Sequence, residues 1–192
     1  MPQTAIIILA AGASKRLGKP KQLLVYNGKT LLQNTIDEVM KVENSIPFLV
    51  ISEEFDFKTD SDIKIIENKE SHLGISSSIK IGLKKIIDLQ SEIKNCIFTV
   101  SDQPFISVKI FSQLIQKCNT SNKGIIASFY EETIGVPMLF NKKYFEELLQ
   151  LSNDEGAKKI AIKHKDDLET IDFPKGKIDI DTPEDYKKLC SK

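Results

Sequence analysis

The run Ile6-Ile7-Ile8-Leu9 is apolar at every position, and it breaks directly into a loop of glycines, small residues and cations. A strand sends successive side chains to opposite faces, so a run with no polar position has to be covered on both. Residues 96–100, continuous in the same way but for the hydroxyl of Thr99, read as a second buried strand. Such strands belong to a parallel sheet with helices packed on each side.

The rest of the chain supplies those helices. Thr30 is placed to cap a helix carrying Leu32, Ile36, Val39 and Met40 on one face. Ile79, Leu83, Ile86 and Ile87 recur at helical spacing, with Lys80, Lys84 and Lys85 on the wet side, and a further helix is expected over 107–118. Strands are expected at 4–10, 48–51, 63–66, 96–100, 124–130, 136–140 and 168–172. Glu131-Glu132-Thr133 reads as a hairpin or reversal between two of them. Helices near 142–151 and 155–164 precede the last strand. Thr182-Pro183-Glu184-Asp185 then combines a hydroxyl cap, a proline at the first helical position and acids in the first turn, a strong helix start. The expected fold class is α/β: a three-layer α/β/α sandwich with a Rossmann-like, mostly parallel sheet and an antiparallel element in its second half, forming one domain over 1–192.

The loop at residues 9–24, L-A-A-G-A-S-K-R-L-G-K-P-K-Q-L-L, suits a phosphate group. Backbone N–H groups at Gly12 and Gly18 can turn inward on an anion, and Arg16, Lys19 and Lys21 add positive charge. A P-loop needs G-x-x-x-x-G-K-S/T, with the last hydroxyl going to Mg²⁺. Here five residues separate Gly12 from Gly18, and Pro20 stands where that hydroxyl should be. The dinucleotide fingerprint G-x-G-x-x-G fails as well, because Ala13 and Ser14 follow Gly12. The alternative is a lysine-rich surface turn after an edge strand.

In an open parallel sheet, ligands bind beyond the carboxyl ends of the strands. Asp102, in Ser101-Asp102-Gln103-Pro104, follows one of the buried strands, where a carboxylate can hold a Mg²⁺ that bridges nucleotide phosphates. Taken alone it also reads as a turn aspartate before proline. In Asp179-Ile180-Asp181 the alternation points both carboxylates the same way and offers a second metal ligand. Capping of the last helix explains Asp181 and leaves Asp179 less well explained. Gly74-Ile75-Ser76-Ser77-Ser78 opens a helix with small residues and hydroxyls, which suits a base, ribose or phosphate contact and equally suits capping. There is no Ser-His-Asp or Cys-His arrangement that would supply a covalent nucleophile. A basic loop with distant acids implies phosphoryl or nucleotidyl transfer, in which catalysis is mainly positioning and charge neutralisation. In that scheme the loop amides and Arg16 hold the β- and γ-phosphates, Lys21 stabilises charge on the α-phosphate, and Asp102 and Asp179 place Mg²⁺.

Composition narrows the partners. The 192 residues carry 27 basic and 27 acidic side chains, so a broad nucleic-acid or membrane surface is not expected and any cationic site is local. Cys96, Cys118 and Cys190 are widely spaced, and His72 and His164 are isolated, which argues against a zinc or iron–sulfur site and for surface or packing histidines. The apolar N-terminal run is too short to span a membrane and lacks the flanks of an export signal, so the cytoplasm is the expected compartment.

These motifs, in this order, resemble the MobA-like nucleotidyltransferases over nearly the full chain. L-A-A-G-A-S-K-R-L-G-K-P-K looks like the family's signature loop. G-I-S-S-S-I-K-I-G-L is similar to its G-x-x-x-S-(L/I)-x-x-G-L segment, and S-D-Q-P-F to its D-Q-P metal motif. G-V-P-M-L-F (135–140), N-D-E-G-A-K-K-I (153–160) and D-I-D-T-P-E-D-Y (179–186) resemble G-x-P-x-x-F, G-D-x-G-A-R and the C-terminal motif. The fold this implies is that of the nucleotide-diphospho-sugar transferases. Within the family, Ala11 and the 74–78 segment resemble the molybdenum cofactor cytidylyltransferases, since the guanylyltransferases carry A-G-G and P-x-L-G there.

The resemblance implies that the terminal phosphate of Mo-molybdopterin attacks the α-phosphate of CTP, giving molybdopterin cytosine dinucleotide and pyrophosphate. It carries nucleotide binding over to Leu9, Ala10, Ala11, Gly12, Ser14, Arg16 and Lys21 in the first loop, to Gly74, Ser76, Ser77 and Ser78 in the second, and to Asp102. Lys21, Arg16 and Asp102 take the catalytic roles, and Asp102 and Asp179 bind Mg²⁺. A recipient molybdoenzyme is a further implied partner. Val136 stands where His or Asn is common, Asn153 replaces a glycine, and Lys158 replaces an arginine; all three departures bear on the acceptor rather than on nucleotidyl transfer. Competing expectations are a guanylyl-, sugar-1-phosphate or other nucleotidyltransferase of this fold, and a molybdopterin-binding accessory protein without turnover. The joint presence of Arg16, Lys21, Asp102 and Asp179 weighs against a pure carrier.

Overall fold

The structure is a computed structural model, and it describes residues 3–14, 17–89 and 92–191. In chain order the elements are β1 (Thr4–Leu9), a small hairpin of β2 (Val25–Tyr26) and β3 (Lys29–Thr30), α1 (Leu31–Met40), β4 (Ser45–Ser52), β5 (Lys64–Asn68), α2 (Ile75–Asp88), β6 (Asn95–Val100), α3 (Val108–Ser121), β7 (Ile125–Tyr130), β8 (Thr133–Asn141), α4 (Phe145–Leu149), α5 (Lys158–Lys163), β9 (Leu168–Asp172) and α6 (Pro183–Cys190). Seven strands form one sheet in the order β5-β4-β1-β6-β8-β7-β9. Every neighbouring pair is parallel except the two made by β8, which runs against both β6 and β7.

The unbroken apolar character of β1 follows from its central place. Ile7 and Leu9 face the side covered by α2, packing with Ile79, Leu83 and Ile86. Ile6 and Ile8 face the other side, with Leu32, Ile36 and Val39 of α1 and Phe111 and Leu114 of α3. At roughly 1.5–3 kcal/mol for each fully buried aliphatic side chain, this strand is a main source of the core's stability. Ile87 and Met40, assigned by spacing to the apolar faces, are 41% and 39% exposed. Ile87 lies one position past Ile86, at the rim of the stripe, and Met40 is the last residue of its helix.

Local signals fix the joints. Thr30 Oγ1 accepts from the Gln33 N–H at 3.1 Å and caps α1. Tyr130 pairs with Thr133, leaving Glu131 and Glu132 as a two-residue turn with φ of 49° and 58°. Positive φ at both central positions is the primed turn that matches strand twist, and here it is met without glycine. The 142–151 and 155–164 helices are shorter than expected, reduced to α4 behind a 3₁₀ turn and to α5. Among the described residues, no helix is long and apolar enough to cross a membrane.

Candidate functional site

The carboxyl ends of β1 and β6 open into a cavity of about 620 Å³. That is a volume typical of small-molecule and cofactor sites. Its walls are the loop after β1, Lys21 and Gln22, the 71–78 segment at the start of α2, the 100–102 turn, Asp154 and Asp181. Leu9, Ala10, Ala11, Gly12, Ser14, Lys21, Gly74, Ser78 and Asp102, all expected from sequence, lie on this one surface. Arg16 lies outside the described residues.

The loop after β1 turns through left-handed backbone at Ser14 (φ 49°) and Gly18 (φ 71°), and the Leu17 N–H closes back on the Ser14 carbonyl at 3.0 Å. Gly12 does not have positive φ, so its value is not the conformational freedom expected of it. A Cβ there meets no atom within 4 Å, and the residue lines the cavity, so what Gly12 provides is room beside the backbone. Sequence reasoning passed over Gln22. It is buried, and its amide donates to the carbonyls of Ala10 at 2.6 Å and Gly12 at 3.2 Å.

At the other end of the loop, Lys21 Nζ pairs with Asp102 Oδ2 and, at 3.1 Å, with Asp181 Oδ1. Burial works against the ammonium, but the charge and hydrogen bond of Asp102, joined by those of Asp181, outweigh it and hold the Lys21 pKa above its ordinary value. Asp102 is buried, and its Oδ1 accepts no hydrogen bond from the described residues. A buried carboxylate oxygen without a partner is costly unless a ligand completes it.

The C-terminal segment reaches this point because the Ile180 N–H donates to the Asp102 carbonyl at 3.1 Å, with Ile180 fully buried among Leu17, Leu24, Leu31 and Leu189. Of the two carboxylates flanking Ile180, Asp181 lines the cavity. Asp179, expected as the second metal ligand, instead lines a separate cavity of about 250 Å³ with Phe105, Lys177 and Lys188. It remains within electrostatic reach of the first site, since burial together with the Asp102 and Asp181 charges raises its pKa. The capping role considered for Asp181 belongs to Thr182, whose Oγ1 accepts from the Asp185 N–H at 3.2 Å while Asp185 Oδ2 accepts from the Thr182 N–H at 2.9 Å.

The serine segment divides between two duties. Ser78 lines the cavity, whereas Ser76 and Ser77 are buried and do not. Ser77 Oγ donates to the Gly74 carbonyl at 2.8 Å, and Asn68 Nδ2 donates to both Ser77 Oγ (2.9 Å) and Ser78 Oγ (3.0 Å). The Ser76 N–H donates to the Asn153 carbonyl at 3.2 Å, bringing the 153–154 turn against α2 and Asp154 into the cavity wall. His72, expected as a surface or packing residue, is also part of that wall.

Gly74 has φ 93°, and a Cβ there would stand 2.4 Å from Asp154 Oδ1 and 2.6 Å from the Asn153 carbonyl oxygen. Gly74→Ala is therefore expected to cost on the order of 1–3 kcal/mol of stability, read as a lower urea midpoint. Gly12→Ala places its methyl in open space; it is expected to stay within about 0.5 kcal/mol of the parent and to weaken nucleotide binding instead.

Among the described residues, no group of three or more His, Cys, Asp or Glu side chains is arranged around a metal. Two carboxylates nevertheless converge on one cation, Lys21 Nζ, and one of them keeps an unpartnered buried oxygen. Mg²⁺ commonly takes one or two carboxylates and completes its shell with water and substrate phosphates, so Asp102 and Asp181 fit a metal that arrives with a triphosphate.

Comparison with known proteins gives the family and the fold. The MobA-like NTP transferase domain family matches residues 6–168. The molybdenum cofactor cytidylyltransferase of Escherichia coli K12 is 25% identical over 186 residues, covering 94% of this chain and 92% of its own. A probable molybdenum cofactor guanylyltransferase of Natranaerobius thermophilus is 32% identical over 123 residues, 62% of this chain and 57% of its own. Among solved structures, Rv0371c from Mycobacterium tuberculosis H37Rv superposes with a TM-score of 0.81 at 24% identity, covering 99% of both chains. The mostly parallel seven-stranded sheet covered by helices on both faces is thus a fold this chain shares with that structure. With the matched domain spanning most of the sequence, the chain belongs to the MobA-like NTP transferase family and is a nucleotidyltransferase.

Proposed function

We propose that this nucleotidyltransferase moves CMP from CTP to the terminal phosphate of Mo-molybdopterin, giving molybdopterin cytosine dinucleotide and pyrophosphate. The observation that carries the reading is the convergence of Lys21, Asp102 and Asp181 on the same cavity as the glycine loop. The cytidylyl assignment and the acceptor rest on the Ala11 and 74–78 segments and on the likeness to the E. coli cytidylyltransferase along 94% of the chain.

In the reaction an oxygen of the acceptor phosphate forms a bond to the α-phosphorus of CTP. The bond from that phosphorus to the bridging oxygen of the β-phosphate breaks, and pyrophosphate leaves with the electron pair. The loop amides and Arg16 hold the β- and γ-phosphates. Lys21 faces the α-phosphate and stabilises its growing negative charge, an interaction stronger in the transition state than in the bound substrate. Ser78 and the neighbouring backbone of α2 hold the nucleoside end. Asp102 and Asp181 are the carboxylates that would hold Mg²⁺, which when bound neutralises phosphate charge; Asp179, in the neighbouring cavity, is within electrostatic reach of both. No protein nucleophile is needed, since the acceptor supplies its own.

Pyrophosphate release measured with each of the four NTPs, with and without molybdopterin, tests this reading. Release is expected with CTP and only when molybdopterin is present. Release with GTP instead turns the assignment to the guanylyl branch, the activity of the Natranaerobius relative. Release with an NTP and no dependence on molybdopterin removes the proposed acceptor.

A further inference from the structure

Gln22 lies outside every role assigned above, yet it is the one buried residue of the short 3₁₀ turn Lys21–Leu23. Its neighbours in sequence, Lys21 and Leu23, are more exposed, and a polar side chain between them has no local reason to turn inward. Once inside, it is engaged at both ends of its amide. Nε2 donates to the Ala10 carbonyl at 2.6 Å and to the Gly12 carbonyl at 3.2 Å, and Oε1 accepts from Ser14 Oγ at 3.4 Å. Ser14 Oγ in turn accepts the Lys21 N–H at 3.0 Å. One side chain thereby ties the start of the loop to its end and fixes the backbone that carries Lys21.

The consequence is electrostatic. A backbone loop offers acceptors as well as donors, and carbonyl oxygens turned toward a polyphosphate repel it. Gln22, itself in the cavity wall, donates to the Ala10 and Gly12 carbonyls, so these two oxygens are already engaged and repel a polyphosphate less. We propose that Gln22 is a positioning residue that holds the glycine loop and engages its Ala10 and Gly12 carbonyls, and that it thereby sets the affinity of this site for a polyphosphate chain. The proposal rests on the nucleotidyltransferase reading for its ligand, and on the hydrogen bonds alone for its effect on the loop.

Two isosteric variants separate this role from simple filling of space. Gln22→Met keeps the volume and loses the hydrogen bonds. Gln22→Glu keeps the shape and sets an acceptor against two acceptors. Calorimetric titration with inorganic tripolyphosphate is expected to show about tenfold weaker binding for Gln22→Met and a further loss of about tenfold for Gln22→Glu. With CTP, KM is expected to rise in the same order, while kcat at saturation changes less than about threefold in Gln22→Met because Lys21 and Asp102 remain. Hydrogen exchange of amides 10–14 is expected to speed up about tenfold in Gln22→Met, with β1 and α2 unchanged.

Equal tripolyphosphate affinity in wild type and both variants overturns the proposal, as does unchanged exchange in the loop. Wild-type protein that binds neither tripolyphosphate nor CTP overturns the ligand assignment instead, and the exchange measurement still decides what Gln22 does to the loop.

Discussion

Replacing Lys21 with alanine is expected to lower kcat by about 10²–10³-fold while changing the dissociation constant for CTP by less than about tenfold. The asymmetry follows from where the ammonium sits. It is held in the cavity wall by two carboxylates, Asp102 and Asp181, while the amides proposed to bind phosphate belong to the loop after β1. In the proposed reaction, binding is spread over the donors of the loop, whereas charge developing on the α-phosphate meets Lys21. Steady-state kinetics combined with a direct titration of CTP separates the two quantities, and equal loss in both removes Lys21 from the transition state.

The ion pairs also set a pH limit. With its pKa raised above 10.5, Lys21 contributes stability that is fully present at neutral pH and is lost only as pH rises through the folded value. The pH dependence of turnover between 6 and 9 is therefore expected to owe nothing to Lys21.

Asp102→Asn is expected to reduce metal-dependent turnover on the order of 10³-fold. Asparagine keeps the shape but removes the charge that pairs with Lys21 and that the proposed divalent ion would use. A Mn²⁺ titration of the CTP complex followed by electron paramagnetic resonance checks the cause, with the variant expected to bind the ion far more weakly. An unaffected rate with unchanged metal affinity removes Asp102 from the site. Asp181→Asn and Asp179→Asn extend the comparison. The geometry places the larger loss at Asp181, because its carboxylate shares Lys21 with Asp102 while Asp179 lines the neighbouring cavity.

Much of the fold was legible because its signals are local. The apolar runs of β1 and β6, the Thr30 and Thr182 caps and the Glu131-Glu132 turn each involve residues a few positions apart, and the helical stripes repeat along a single element. The loop, Lys21 and Asp102 were legible too, since cations beside glycines and an acid after a buried strand are unusual in themselves. What the sequence hid depends on contacts between distant segments. The Lys21–Asp181 pair spans 160 positions, and T-P-E-D offered a local reason for Asp181 that Thr182 and Asp185 in fact satisfy. Asp179 and Asp181 share one alternation, yet only the second meets the main cavity.

Gln22 and Asn68 were hidden for another reason. Glutamine and asparagine are ordinary surface residues, and neither betrays in sequence that it is buried and bonded to the segments around the cavity. Here the one holds the carbonyls of the glycine loop and the other fixes two serines of α2. Gly12 stands in the cavity wall with open space beside its Cα and without positive φ.

The most direct measurement follows a radiolabel from the α-phosphate of CTP in the presence of Mo-molybdopterin and Mg²⁺. The label is expected to appear in a cytosine dinucleotide of the pterin, one pyrophosphate released for each, with Lys21→Ala and Asp102→Asn both slow. Label that stays in CTP or emerges as free CMP, while the folded protein still binds the nucleotide, is incompatible with transfer to that acceptor.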